Sequence, residues 1–228
     1  MARKKMYLVL DTETQGNIGN QVAYDIGFAI IDREGRVYHS AHYLVKETFS
    51  NLPAMATAYY SEKFPEYIDR VYQQRIKPKK FTKIVRKINE LVETYNISTI
   101  AAYNLPFDLA AMKNTAKLIT GNEEWLEEDL ETLDIWSAAC ETLCLKKYVK
   151  KMLKMGRVTE KGNVKTSAET VFQYLTDDWG FVEEHMGLDD VLIECQILAA
   201  IFRQHKKFTG KVSQPWRLTK KVKDAILK

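Results

Sequence analysis

The sequence predicts an α/β protein built on a central mixed β-sheet flanked by helices, and three observations predict it. Residues 8–10, Leu-Val-Leu, are an apolar run of the kind found in strands covered on both faces, with Gly16 breaking the pattern just beyond. Residues 21–32 and 36–45 flank the turn signal Asp32-Arg33-Glu34-Gly35 and read as a β-hairpin beside that strand. A helical segment, residues 81–95, then precedes a second short apolar strand, residues 97–103; a helix joining two strands of one sheet makes a crossover and therefore a parallel pair.

Taken in order, residues 46–78 are the least regular part, where Pro53, Pro65 and Pro78 punctuate tyrosine-rich pieces suited to helices of one or two turns. From 81 to 95 the apolar residues Ile84, Ile88, Leu91 and Tyr95 recur at helical spacing with charges between them. The strand at 97–103 hands over to a helix over 105–119. Residues 133–148 read as a further helix, and Gly156 and Gly162 mark residues 156–164 as a hairpin or exposed loop. Thr166-Ser-Ala-Glu169 has the pattern of a capping box, opening a helix whose core face is Ala168, Val171, Phe172 and Leu175. The longest stripe follows, with Leu188, Val191, Leu192, Cys195, Leu198, Ala199 and Phe202 on one helical face. The organisation expected is one domain over residues 1–205 and a basic, weakly patterned, mobile tail over 206–228.

At 228 residues the chain is long enough for one substantial core and demands no second domain. Its 46% hydrophobic and 28% charged residues suit a soluble globular protein. No apolar run reaches the length of a membrane span, and the basic start leads into a strand rather than a signal-peptide core, so a cytoplasmic protein with no membrane partner is expected. Three cysteines argue against a disulfide framework; Cys140 and Cys144, one helical turn apart, have no second Cys or His pair to complete a zinc site and read as small residues on a buried face.

The net charge of +4 hides strong segregation. Residues 75–87 hold seven basic side chains and no acid, residues 145–165 eight against Glu160 alone, and residues 203–228 nine against Asp224 alone; residues 121–134 hold seven acids and no base. Basic blocks of this kind suit a polyanion such as nucleic acid.

Three short patterns carry the chemistry. In Asp11-Thr-Glu13-Thr-Gln-Gly16, at the end of the first strand, the alternation of side chains puts Asp11 and Glu13 on one face. Two like charges at the end of a core strand repel and resist desolvation, and a divalent cation is the simplest partner for both. In Tyr103-Asn-Leu-Pro-Phe-Asp108 a strand passes into a helix, with Asn104 as expected N-cap and Asp108 in the first turn, where the helix dipole alone would explain an acid. In His185-Met-Gly-Leu-Asp189-Asp190 a loop histidine precedes two aspartates that open the long helix, Asp190 at the margin of its buried stripe and Asp189 leaning outward. Each alone has an ordinary structural explanation.

Together and in this order, Asp11-x-Glu13-x-x-Gly16, Asn104-x-x-Phe-Asp108 and His185-x-x-x-x-Asp190 resemble the DEDDh branch of the 3′-to-5′ exonucleases, the superfamily of the proofreading epsilon subunit and RNase T, and in particular phage or prophage-borne members. The resemblance covers roughly the first 200 residues; Gln15 stands where Thr is frequent and Tyr103 where His or Gly is common. It implies a ribonuclease-H-like fold and hydrolysis with two divalent cations, Mg²⁺ or Mn²⁺, about 4 Å apart. In that scheme Asp11 bridges both ions, Glu13 and Asp190 hold the one that activates water, Asp108 supports the other, and His185 is the general base. The backbone around Thr14 would meet the terminal 3′-hydroxyl.

The implied activity is release of nucleoside monophosphates from the 3′ ends of single-stranded or frayed DNA or RNA, DNA being favoured, with a role in replication or repair and a replication or polymerase protein as partner. Two other readings keep the same fold: a non-catalytic, polymerase-associated nucleic-acid-binding module, against which the complete set of carboxylates and histidine argues, and an endonuclease or nickase. The tyrosines of residues 58–72 suit either stacking on bases or packing of a helical layer.

Overall fold

The computed structural model describes residues 4–227; residues 1–3 and residue 228, the first and last of the expected domain and tail, lie outside the described residues. The chain opens with β1 (Met6–Gln15), β2 (Val22–Asp32) and β3 (Val37–Val45). Then come α1 (Lys46–Phe49), α2 (Leu52–Met55), a single 3-10 turn at Ser61–Lys63, α3 (Phe64–Tyr72) and the short strand β4 (Lys77–Lys79). They are followed by α4 (Phe81–Tyr95), β5 (Thr99–Ala102), α5 (Leu105–Thr120), β6 (Glu131–Asp134), α6 (Ile135–Thr142) and α7 (Lys146–Lys154). The last elements are α8 (Ala168–Thr176), α9 (Gly187–Arg203) and α10 (Trp216–Ile226).

The six strands form one sheet in the order β4-β3-β2-β1-β5-β6. β2 runs antiparallel to β1 and β3, while β1–β5, β5–β6 and β3–β4 are parallel, so the sheet is mixed, as expected. Alternation along β1 divides the core in two. Tyr7 and Val9 pack with Ala138, Val171, Val191 and Leu198 of α6, α8 and α9, whereas Leu8 and Leu10 pack with Ile84, Ile88 and Met112 of α4 and α5. A third, smaller layer, with Tyr24, Leu44, Phe49, Tyr67 and Met186, lies where α1 and α3 meet the end of β2.

Four expectations need correction. Residues 133–148 are not one helix: β6 adds a parallel edge strand, with only Leu133 of it buried, before α6 and α7. The cap of α8 is one residue later than expected: Ser167 Oγ accepts from Thr170 N, while Glu169 accepts from the backbone N–H of Glu183. Leu192 is 36% exposed, because α9 packs β1 and β2 on one side and α6 and α8 on others and turns Leu192 to the remaining face. The segment after residue 205 is not a mobile tail as far as residue 227. Thr209 N and Gly210 N donate to Glu141, Asp134 N donates to Gly210 O, and Leu218, Val222 and Ile226 of α10 pack on the core that α7 shares.

Candidate active site

The end of β1 carries Asp11 and Glu13 on the face that looks toward α9, directly across from Gly27 and Asp25 of β2. A register shift follows Glu13, so that Thr14 pairs with Ala23 and Tyr24 of β2 is left as the extra residue of a bulge. Thr12, on the opposite face, looks toward α5. Its backbone N–H and hydroxyl both donate to Asp108 Oδ1, at 3.0 and 2.8 Å. That pair of bonds brings the first turn of α5 against the tip of β1.

α5 itself is not capped as expected. Asn104 sits in the left-handed region at φ 73° and its side chain makes no capping bond. Asp134 does the capping instead, its Oδ1 accepting from Asn104 N at 2.9 Å and Leu105 N at 3.3 Å, while its Oδ2 caps α6 through Ser137 N.

α9 is placed by backbone contact. Gly27 and Gly187 touch so closely that a Cβ on Gly187 would lie 2.6 Å from Gly27 N, and one on Gly27 would overlap the Gly187 carbonyl. Asp25, wholly buried, accepts from Gly187 N at 3.1 Å and Tyr67 Oη at 2.7 Å, and His42 Nε2 lies 2.7 Å from its other oxygen. Lys63 donates to the Glu184 carbonyl and Arg70 pairs with Asp189 at 2.7 Å, so the α3 region holds the loop ahead of α9. In that loop His185 adopts φ 51° and stacks on Tyr60, ring centroids 4.2 Å apart and planes 12° from parallel.

These elements line a cavity of about 560 Å³ whose walls include Asp11, Glu13, Thr14, Asp108, His185 and Asp190, all six residues that the sequence singled out. Glu13, His185 and Asp190 offer ligand atoms within 4.8 Å of one another; Asp11 and Asp108 complete the wall. Two further acids, Glu183 and Glu194, also line it and were not foreseen. Asp25 was missed as well. The available signal was the same for Asp25 and Glu194, a lone charge inside an otherwise apolar run of strand or helix.

Burial, and then the neighbouring acids, push the carboxyls upward. Glu13 is raised to about 9 by burial, then Asp25 and Asp190; Asp190 to about 8 by burial, then Glu183 and Asp189. Asp108 is raised to about 7 by burial, against the pull of its Thr12 bonds. Asp11 is raised well above the carboxylate range by burial, then Asp108 and Glu194. His185 is lowered by burial and then by Lys63, which favours the neutral imidazole that accepts a proton.

The donor set fits a divalent cation. Asp11 Oδ2, Asp190 Oδ1 and Glu194 Oε2 are buried without a hydrogen-bond partner, and no Lys or Arg is among the cavity's lining residues. Carboxylate oxygens are ligands for hard divalent cations, and no cysteine thiolate lines the cavity.

Of the tyrosine-rich stretch, Tyr67 is fully buried and packs a core layer, whereas Tyr59, 85% exposed, and Tyr60 border the cavity. The first basic block lines a separate surface groove with Lys79, Lys80, Lys83 and Arg86, apart from the acidic cavity. The second contributes Lys161 and Lys165 to an adjoining cavity of about 880 Å³, walled by Trp136 and Trp216 and sharing Tyr103 and Ser167 with the acidic one. Among the described residues no helix is long and apolar enough to cross a membrane.

No family model and no curated relative matches the sequence. Solved structures do. The chain is similar to E. coli exonuclease I in complex with a 5cy-dT13 oligonucleotide (TM-score 0.55, 16% identity, 96% of this chain and 42% of that one). It is similar to a product-bound exonuclease I (0.55, 16%, 96% and 46%) and to a moderately thermophilic exonuclease I from Methylocaldum szegediense (0.53, 14%, 89% and 41%). The chain thus spans less than half the length of these exonuclease I chains. At such identity the likeness shows the fold alone, and that fold is the ribonuclease-H-like one expected from the sequence.

Proposed function

We propose that the protein is a metal-dependent 3′-to-5′ exonuclease of the DEDDh type, acting on single-stranded nucleic acid ends, with DNA as the favoured substrate. The observation that carries this reading is the convergence of Asp11, Glu13, Asp108, Asp190 and His185 on one cavity wall with unpartnered buried carboxylate oxygens. The fold it shares with exonuclease I structures, some solved with single-stranded oligonucleotides, supports it.

Asp11, Glu13, Asp108 and Asp190 would hold two divalent cations, Mg²⁺ or Mn²⁺. Bound there, the ions supply a lowered pKa for a coordinated water and charge neutralisation for the phosphodiester. The chain's own residues do the rest. His185, held neutral and presented by the left-handed turn that Tyr60 covers, takes the proton of the attacking water. The backbone around Thr14, just past the register shift, meets the terminal 3′-hydroxyl. Tyr59 and Tyr60 stack on the terminal bases, and the strand behind them runs into the neighbouring cavity, where Trp136 and Trp216 offer ring faces and Lys161 and Lys165 meet phosphates.

The test uses 3′-labelled single-stranded DNA and RNA, and circular DNA, with Mg²⁺, with Mn²⁺ and with chelator, beside the Asp11→Ala protein. Metal-dependent release of labelled mononucleotide that Asp11→Ala loses is expected, with circles untouched. Cleavage of circles would make the protein an endonuclease, and retained binding with no cleavage of any substrate would make it a binding module.

A further inference from the structure

α9 buries almost every residue of its middle turns, and in the midst of them stands Glu194, 3% exposed, one helical turn beyond Asp190 and on the same side. A glutamate so placed is expected to meet a cation or a full set of donors, because an uncompensated buried charge is strongly destabilising. Glu194 meets neither. The backbone N–H of Tyr103 is directed at its carboxylate, Oε2 has no partner, and the ionisable groups that act on it are Asp108, Glu183 and Asp190. It lines the same cavity as Asp11 and Asp108.

The other acids of the cavity divide unevenly. Glu13 and Asp190 share their side with His185, three ligand atoms within 4.8 Å of one another. On the other side Asp108 commits Oδ1 to two bonds from Thr12, and Asp11 is shared between both sides in the reading above. That second side is short of donors. Glu194 is the charge most felt by Asp11 after Asp108, and its orphaned Oε2 is the donor that side lacks.

We infer that Glu194 is a fifth carboxylate ligand of the metal centre, serving the divalent cation held between Asp11 and Asp108. The inference rests on the two-cation reading and adds a residue to it. Its function is affinity: the second cation, ordinarily the weaker of a pair because it shares ligands and leans on water, is held by an additional full charge, so the centre fills both positions before nucleic acid arrives.

Mn²⁺ alone is the probe. Calorimetric titration of the whole protein without nucleic acid is compared for wild type, Asp11→Asn, Glu194→Gln and Glu194→Leu, with the melting temperature of each metal-free protein alongside. Two Mn²⁺ equivalents are expected for wild type. Glu194→Gln, isosteric and still able to accept from Tyr103 N, is expected to keep the first equivalent and to weaken the second by about tenfold to a hundredfold. Both Glu194 variants are expected to melt no lower than wild type without metal, since each removes a buried charge. Wild-type stoichiometry and affinity in either folded Glu194 variant, or a lower melting temperature for Glu194→Gln, would overturn the assignment and make Glu194 a structural acid. Unaltered Mn²⁺ binding by Asp11→Asn would instead overturn the metal centre itself.

Discussion

The two ends of the β1–β2 ribbon each carry an aspartate with a carboxylate oxygen out of water, and they are built in opposite ways. At one end Asp32, opposite Met6, accepts four hydrogen bonds: from Lys4 Nζ and Tyr38 Oη at 2.9 Å each, and from Glu34 N and Arg36 N at 3.0 and 3.1 Å. Burial works to raise its pKa, yet the bonds from Lys4, Arg36 and Tyr38 outweigh it and set the value at about 2. At the other end Asp11 has a buried oxygen with no partner, and burial and its acidic neighbours carry it upward. The sheet can evidently satisfy a buried carboxylate where it needs one for a turn. That it leaves a group of them unsatisfied at the far end separates an acid used for architecture from acids kept available for a cation.

The contrast can be broken by mutation, and the largest effect is expected at the unsatisfied end. Glu13→Ala or Asp190→Ala should lower turnover by about a thousandfold or more while leaving the metal-free melting temperature unchanged or raised. His185→Ala should cost about a hundredfold or more in kcat with KM nearly unaltered, as befits a base rather than a binding residue. Steady-state kinetics with melting curves decide both, and a Glu13→Ala protein of full activity would end the ligand assignment.

Next in size is Asp32→Ala, expected to cost about 2 kcal/mol of stability by denaturant titration with turnover unchanged, the scale of a carboxyl held from 3.8 down to about 2. If Asp32→Ala were neutral, its four bonds would be decoration and the contrast would fail.

The most diagnostic effect is in pH. Asp108, Asp190 and Glu13 have folded values raised to about 7, 8 and 9, so the fold prefers them neutral. Their stabilising contribution is complete below the ordinary carboxylate range and is lost as pH rises toward those values. Asp32, lowered, has the opposite sign: its contribution is present above pH 4 and lost as pH falls through about 2. In chelator the melting temperature should therefore fall from about pH 5 to pH 9, and saturating Mn²⁺ should flatten that slope. A slope that persists with Mn²⁺ would mean the ion is not the partner of these acids.

What could be read in the sequence was what repeats. α4 and α9 announced themselves through helical spacing, β1 through an unbroken apolar run, and the three motif sites through side chains that chemistry constrains locally. β6 was hidden because its four residues include two exposed polar side chains and an acid used as a cap, leaving Leu133 alone to mark a core strand. Asp134 as the cap of two helices was equally hidden, since it lies thirty residues from the α5 amides it serves. Asp25 and Glu194 needed the fold: only when α9 lies across β1 and β2 does an acid inside an apolar run acquire neighbours that explain it.

The touching glycines of β2 and α9 give the cleft a fixed gauge. Side-chain packing elsewhere tolerates exchange of one aliphatic group for another, with the helices drifting by fractions of an ångström to suit. Here main chain rests on main chain, so the span between Glu13 on the strand and Asp190 on the helix cannot narrow, and any Cβ at Gly27 or Gly187 would widen it. Variation through the rest of the interior is thereby decoupled from the width of the cleft, and a library of aliphatic core variants should retain the Glu13–Asp190 spacing as long as those two positions stay glycine.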